Sequence, residues 1–356
     1  MDINKLRIFY PYLEGLTVFE LHFSYSVAAI RDKREDENEN ENRHILDVIL
    51  DVERRRGDEM LWAYCQSTLF TAQHSICPQD RGTSLLNQHV GTFISGYRVA
   101  LAACYPSGLP VIGCTVDEYL SYSFVINGYE YGSLNACLSA VIQTISPSAL
   151  NNAILASGFG DGKYGNLIIN EPKMGTPLHF IDFELAGFQN PFVDMCKAIY
   201  NDCFFSAFYI DSLVELDKTT KTSESDCGLR IAFRVSHETR EVYINHNYWT
   251  LLKAPAWDVA GISIFARRYF SMMLPLVSHL ESLHGKGTTN WEQLVGHTLF
   301  SWSAFRTVWP GSPSHFYLHA SIGMELFEFS RWLNAVFTPA MEKLRCENRI
   351  PTTFAG

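Results

Sequence analysis

The chain has 356 residues, 47% of them hydrophobic and 19% charged, which bounds it to a globular protein with a sizeable core, as one large domain or two lobes. Its formal net charge of −10 argues against a nucleic-acid partner, because that affinity comes largely from Lys and Arg neutralising phosphates. No apolar run reaches membrane-spanning length and the first residues carry no secretory-type apolar stretch, so the expectation is a soluble, cytoplasmic protein with no membrane partner.

Taken in order, Leu16 to Arg31 is rich in aromatic and β-branched residues and reads as one long strand or two joined strands. Lys33 to Arg43 is acidic and low in complexity, the pattern of a solvated loop. His44 to Val52 suits a strand or the start of a helix. Arg54-Arg55-Arg56 follows, three consecutive cations that cannot share one face, and reads as a solvated bend in preference to an anion site. Apolar spacing predicts helices over Glu59–Ile76 and Gln88–Ala103. Val111-Ile112 and Tyr122 to Ile126 are short strand-like pieces, and Asn127-Gly128 is a hairpin signal. Gly132 to Ile145 returns to helical spacing. Leu167–Ile169 and Leu178–Ile181 are strand-like runs around a turn with Asn170, Pro172, Gly175 and Pro177.

Beyond them, Met195 to Phe208 reads as a buried helix, and Gly228–Val235 with Glu241–Asn245 as a β-hairpin turning at His237-Glu238-Thr239. The C-terminal third is helical over Asp258–Leu283, Trp291–Trp309 and Ser314–Val336. The order of elements predicts an α+β fold with a mostly helical second half. The nine cysteines (Cys65, Cys77, Cys104, Cys114, Cys137, Cys196, Cys203, Cys227 and Cys346) form no C-x-x-C pair, which points to reduced, mostly buried thiols and away from structural zinc.

Chemistry concentrates between Ser157 and Asp194. Asp161 and Asn166 stand five positions apart in a glycine-punctuated loop leading into a strand. A carboxylate held there can accept a proton from an attacking hydroxyl, while the Asn166 oxygen can bind a hard cation. Asp182, at the end of the next strand, supplies a second oxygen ligand, and period-two spacing puts Glu184 on the same strand face. Mg²⁺ favours one or two carboxylates plus the phosphates of its ligand. Lys163 is placed to stabilise charge developing on a transferred phosphoryl group.

Asp161-x-x-x-x-Asn166, followed by Ile181-Asp182-Phe183-Glu184, resembles the catalytic loop and metal-binding segment of the protein-kinase-like superfamily. The nearest pattern is that of the aminoglycoside phosphotransferase and choline kinase branch, His-Gly-Asp-x-x-x-x-Asn before Ile-Asp-Phe/Trp-Glu. Ala186 to Asp194 is similar to that branch's Ala-Gly-x-x-x-x-x-x-Asp. The resemblance covers residues 157–194 and implies a two-lobed kinase-like fold. A small, divergent, strand-containing N-terminal lobe would span 1–110, and a larger, mostly helical C-terminal lobe 111–356. It further implies Asp161 as catalytic base with Lys163 beside it, and Asn166 and Asp182 as Mg²⁺ ligands in the ATP site. Asp194 would be a structural support for the catalytic loop.

Departures from the family pattern are concentrated upstream. Phe159 stands at the family's histidine, a position that packs against the metal-binding segment. No glycine-rich loop lies between the first two strands; only Gly15 precedes Phe19–Ile30. Val27 to Arg31 is similar to the strand bearing the family's ATP-binding lysine, with one extra residue and Arg31 for Lys as the cofactor-binding cation. Glu53 and Glu59 are both candidates for its helical glutamate partner.

The function implied is a small-molecule phosphotransferase that moves the ATP γ-phosphate to a substrate hydroxyl with Mg²⁺. Two alternatives stand beside it. One is a kinase-fold biosynthetic enzyme that has lost phosphotransfer and uses the acidic pocket for condensation, cyclisation or other proton-transfer chemistry. The other is a non-catalytic pseudokinase that binds a protein partner. Neither the acceptor nor the oligomeric state is written in these motifs.

The remaining polar candidates carry less. His237, His246 and the pair His315-x-x-x-His319 lack the glutamate of a His-Glu-x-x-His zinc site and read as exposed or hydrogen-bonded surface histidines. Trp291, Trp302, Trp309 and Trp332, with Phe300, Phe305, Phe316, Tyr317 and Phe327, read as a helical core. Glu325 and Glu328 read as a solvated helix face. Ser157 lies in no Gly-x-Ser-x-Gly elbow.

Overall fold

A computed structural model of the chain describes residues 14–24, 39–74, 85–109, 114–145, 155–205, 230–249, 290–308 and 313–332. These residues form an α+β arrangement of three small sheets set among helices.

The N-terminal stretch departs from the strand expected over Leu16–Arg31. Only β1 (Leu16–Thr17) is extended, and residues 18–24 are helical. The cause is a capping box. The Thr17 hydroxyl accepts from the Glu20 amide at 3.1 Å, and the Glu20 carboxylate accepts from the Thr17 amide at 2.7 Å. Two orphan donors of a first helical turn are thereby satisfied, and the cap outweighs the strand preference of the aromatic residues behind it. Arg31, with the rest of residues 25–38, lies outside the described residues.

α1 (Glu39–His74) is a single helix through the triple-arginine stretch, where a bend was expected. Ile49, Glu53, Arg56, Met60 and Tyr64 recur at three- and four-residue spacing and are all buried. Two charged residues occupy that face, so its apolar periodicity is broken although its helical periodicity is not. The acidic run expected as a loop already contributes residues 39–43 to this helix.

Next come α2 (Leu85–Cys104), α3 (Val116–Ser121), β2 (Ser123–Ile126), β3 (Tyr129–Ser133) and α4 (Leu134–Ile145). Asn127 and Gly128 take φ of 51° and 83°, the left-handed pair of a tight hairpin turn between β2 and β3. β4 (Ala156–Gly158), β5 (Leu167–Ile169), β6 (Leu178–Phe180) and β7 (Gly187–Gln189) carry the candidate site. α5 (Pro191–Ile199) follows, capped by the Asn190 side chain accepting from the Phe192 amide at 2.9 Å, with Pro191 in the first turn. It continues as a π-helical turn over Tyr200–Phe205. β8 (Ile231–Ser236) and β9 (Glu241–His246) form the expected hairpin. The last described helices are α6 (Trp291–Thr307) and α7 (Pro313–Phe327), then a turn at Glu328 and a short helix over Phe329–Trp332. The expected strand Val111-Ile112 and helix Asp258–Leu283 lie outside the described residues.

The sheets are β1-β5-β6, β3-β2-β9-β8 and β4-β7. In the second, β2 pairs with β9 in parallel, Phe124 opposite Val242 and Ile126 opposite Ile244. α6 runs through the middle of the helical part and packs on α2, α4, α5 and α7. Leu294, Val295, Leu299, Phe300 and Trp302 meet Phe316, Leu318, Ile322 and Met324 in the core. Cys114, Cys137 and Cys196 are buried free thiols, whereas Cys104 is exposed. Among the described residues no helix is long and apolar enough to cross a membrane.

Candidate active site

Two strand pairings assemble the site. In the β5–β6 hairpin Leu167 lies opposite Phe180, so the open end brings Asn166, one residue before β5, next to Ile181 and Asp182, just after β6. The Ile181 amide donates to the Asn166 carbonyl at 2.9 Å and fastens that end. β4 pairs with β7, Gly158 opposite Gly187, which lays the Phe159–Lys163 loop against residues 183–189. Gly160 is required at the closest approach. Its φ is +76°, and a Cβ there would run into the Leu185 backbone. Phe159 packs on Phe180 with ring centroids 4.3 Å apart and on Phe183 at 6.4 Å. Phe159 thus lies against the two aromatics that bracket Asp182.

The polar groups converge as follows. The Asp161 carboxylate is buried, with its Oδ2 2.8 Å from Lys163 Nζ and 3.2 Å from Lys197 Nζ. Its Oδ1 is also buried and has no hydrogen-bond partner among the described residues. Asn166 Nδ2 donates to the Asp161 carbonyl at 2.9 Å and lies 3.4 Å from Asp182 Oδ2. The amide NH₂ is therefore spent on protein acceptors, and Oδ1 is the Asn166 atom left for a cation. Asp182 is exposed and takes a left-handed conformation, φ 63° and ψ 62°. That kink ends the strand, and Phe183–Leu185 form a 3₁₀ turn. Glu184 consequently does not share a strand face with Asp182, as expected from period-two spacing; it is exposed on the turn.

Among the described residues no three His, Cys, Asp or Glu converge as a metal cage. The Asp182 carboxylate and the Asn166 amide oxygen are the hard oxygen donors that Mg²⁺ takes from a protein when phosphates complete its shell, so the donor set fits that ion.

Asp194 lies in the first turn of α5 and is 2% exposed. It accepts from the Phe159 amide at 3.0 Å and the Gly160 amide at 2.6 Å, and also from the Tyr64 hydroxyl of α1 and the Gln189 side-chain amide. Burial pushes its carboxyl up, against the pull of the Tyr64 hydroxyl and the two amides. Four donors on one carboxylate tie α1, β7 and α5 to the Phe159-Gly160 backbone. The Ser157 amide adds a bond to Ser67 Oγ of α1 at 2.7 Å.

A second buried network supports Tyr164. Arg56, 1% exposed, donates to Asp202 Oδ2 at 2.7 Å and lies 3.4 Å from both Glu53 oxygens. Its guanidinium stands 4.9 Å from the Tyr164 ring centroid, and His22 stacks on that ring at 4.1 Å. The Tyr164 amide donates to Asp202 at 3.1 and 3.2 Å. Burial raises the Asp202 carboxyl to about 7, with Arg56 and the Tyr164 amide pulling it down. Glu53 is also pushed up by burial, but Arg56 and His22 outweigh this and hold it below the ordinary carboxylate range.

The triple-arginine stretch is thus spent on structure. Arg54 and Arg55 bind Asp51 at 2.6 and 2.9 Å, Arg55 also binds the Thr176 carbonyl, and Asp51 accepts from the Gly175 amide at 2.9 Å. These bonds dock α1 on the β5–β6 turn. Among the described residues no cation pairs with Asp182. Of the two glutamates weighed as partners of a phosphate-binding cation, Glu53 is committed to Arg56, and Glu59 is exposed.

The other sequence candidates fall outside this site. His319 is in the core, Nδ1 2.7 Å from the Tyr200 hydroxyl, and not on the surface as expected. The His246 side chain is fully buried, with Nε2 3.2 Å from Glu325. Glu325 also accepts from Trp249 at 2.9 Å, so it is no solvated face; Glu328 is exposed. His237 bonds the Tyr122 hydroxyl at 3.0 Å. Trp302, Phe300, Phe316 and Tyr317 are core residues as expected. Sequence reasoning missed Lys197, Tyr64, Gln189, Arg56 and Asp202. Only Lys197 carried a usable signal, since Asp194-x-x-Lys197 puts it one turn from Asp194 on the same helix face. No family profile, no curated protein and no solved structure matches the chain.

Proposed function

We propose that the chain is a small-molecule phosphotransferase of the kinase-like type, transferring the γ-phosphate of ATP to a substrate hydroxyl with Mg²⁺. The two-lobed kinase-like architecture is part of this proposal. The observation that carries it is the meeting of Asp161, Asn166 and Asp182 at one hairpin end, with the Phe159-Gly160 backbone held by Asp194.

In this reading Asp161 orients the acceptor hydroxyl and takes its proton on Oδ1, the oxygen with no hydrogen-bond partner among the described residues. Asn166 and Asp182 hold Mg²⁺, which when bound neutralises charge on the phosphates. Lys163, on the partly exposed side of the loop, stabilises charge on the group in transit. The formal charge of −10 suits a substrate whose phosphates arrive with their metal.

Calorimetry with Mg-ATP tests the first half, and radiolabelled transfer to a panel of hydroxyl compounds tests the second. Mg²⁺-dependent ATP binding is expected, with transfer lost in Asp161→Asn. An Asp161→Asn chain that transfers at the wild-type rate would end the assignment.

Two observations favour the second reading, a kinase-fold enzyme of another class. Residues 18–24 are helical where a strand was expected and no glycine-rich loop accompanies them, and Arg54, Arg55 and Arg56 are committed to carboxylates. Absence of ATP affinity at millimolar concentration, with and without Mg²⁺, would select it.

A further inference from the structure

The two lysines on Asp161 are not equivalent. Lys163 belongs to the loop itself, and its side chain is 36% exposed. Lys197 projects from α5 and its side chain is 11% exposed. Its ammonium lies between Asp161 Oδ2 at 3.2 Å and the face of Trp302, whose centroid is 5.5 Å away. Burial lowers the Lys197 ammonium from its ordinary value, and the Asp161 carboxylate works against that loss.

The same helix turn that presents Lys197 also presents Asp194, which grips the Phe159 and Gly160 amides. α5 therefore holds the loop twice, by its backbone at Asp194 and by its functional side chain at Lys197. A carboxylate with one oxygen pinned by a buried cation has one way to offer the other. In this chain the other oxygen is Oδ1, which is buried and has no hydrogen-bond partner among the described residues.

The geometry points to Lys197 as the positioning residue of the site: it anchors Asp161 Oδ2 throughout the reaction and leaves Oδ1 to the acceptor hydroxyl, while Lys163 is the cation that leaves Asp161 for the transferred group. This inference rests on the phosphotransfer reading of Asp161. Anchoring by Lys197 is a matter of orientation, so its loss appears in turnover. A misplacement of about 1 Å at a reacting group costs on the order of a hundredfold.

The test uses the full chain and the variants Lys197→Met, Lys197→Arg and Lys163→Met. Lys197→Met is expected to lower kcat about a hundredfold with KM for Mg-ATP unchanged, and Lys197→Arg to restore part of it, because a cation again faces Oδ2. Lys163→Met lowers kcat with the wild-type protein's thermal stability retained. Unchanged kcat in Lys197→Met, or an equal loss in Lys197→Met and Lys197→Arg, overturns the inference.

A second measurement does not depend on the reaction. In a double-mutant cycle of thermal unfolding, Asp161→Asn and Lys197→Met are expected to be non-additive, the double variant melting above the sum of the two losses. Asp161→Asn with Lys163→Met is expected to be less strongly non-additive, because the Lys163 side chain is 36% exposed and its pairing with Asp161 is screened by water. Additivity in the Lys197 cycle overturns the anchor even if phosphotransfer is found. Non-additivity with no transfer in any assay retains the anchor and discards the phosphotransfer reading.

Discussion

Replacing Arg56 by methionine tests whether the buried network beneath Tyr164 is a structural hinge between α1 and the candidate site. The side chain is 1% exposed, bonds Asp202 at 2.7 Å, and is the cation shared by Asp202 and Glu53. Methionine keeps most of the stem volume and removes the charge, leaving two carboxylates without their guanidinium. Breaking a buried pair from one side costs about 3–5 kcal/mol. That is a large fraction of the roughly 5–15 kcal/mol by which folded chains are usually stable. A thermal midpoint lower by on the order of 10 °C is expected.

The loss should also depend on pH. Asp202 already has its carboxyl raised to about 7, above its unfolded value near 3.8. A raised carboxyl contributes stability that is present below the unfolded value and lost as pH rises through the folded one. Without Arg56 the carboxyl moves higher still, so the deficit of the variant is expected to be smaller at pH 5 than at pH 8. Urea unfolding at both pH values, followed by tryptophan fluorescence, measures it. A deficit below about 1 kcal/mol, or one that shrinks as pH rises, would refute the reasoning, since only an exposed or redundant ion pair behaves so.

Three further outcomes are expected. Gly160→Ala forces a left-handed alanine against the Leu185 backbone, with a cost of about 2–5 kcal/mol in urea unfolding and loss of ligand binding at the loop. Asp194→Asn turns an NH₂ toward two of the four donors and costs about 1–3 kcal/mol; hydrogen exchange at Phe159 and Gly160 should accelerate. His297 is 3% exposed, bonds Thr144 Oγ1 at 2.8 Å and stacks on Phe327, and burial lowers its imidazole to about 4. A lowered imidazole contributes stability above its unfolded value of 6.5 that is lost as pH falls toward 4, roughly 3 kcal/mol in all. His297→Gln should therefore flatten the acid limb of the stability–pH curve between those values.

Local order was largely readable from the residues. Asn127-Gly128 announced its hairpin, Leu167–Ile169 and Leu178–Ile181 their pairing, and the apolar spacing of Gln88–Ala103 and Trp291–Trp309 the helices that run over Leu85–Cys104 and Trp291–Thr307. That Asp161, Asn166 and Asp182 meet was expected from the resemblance of their ordered segments to a kinase-like catalytic loop and metal-binding segment, more than from their spacing alone. What stayed hidden was whatever depends on a distant partner. Arg56 looked solvated because its partner Asp202 lies 146 positions away. Lys197 looked like any cation near a helix end until Asp161 was brought beside it. The error at residues 18–24 was of another kind, since Thr17-x-x-Glu20 is a local signal and was outvoted by the aromatic residues around it.

The parallel pairing of β2 with β9 has a consequence for how the chain assembles. The whole candidate site, from β4 to α5, lies within the loop that this pairing closes. Closing a long loop is entropically slow, whereas the β5–β6 hairpin needs only its own turn. During synthesis the Asn166–Asp182 junction can therefore form before the sheet that encloses it.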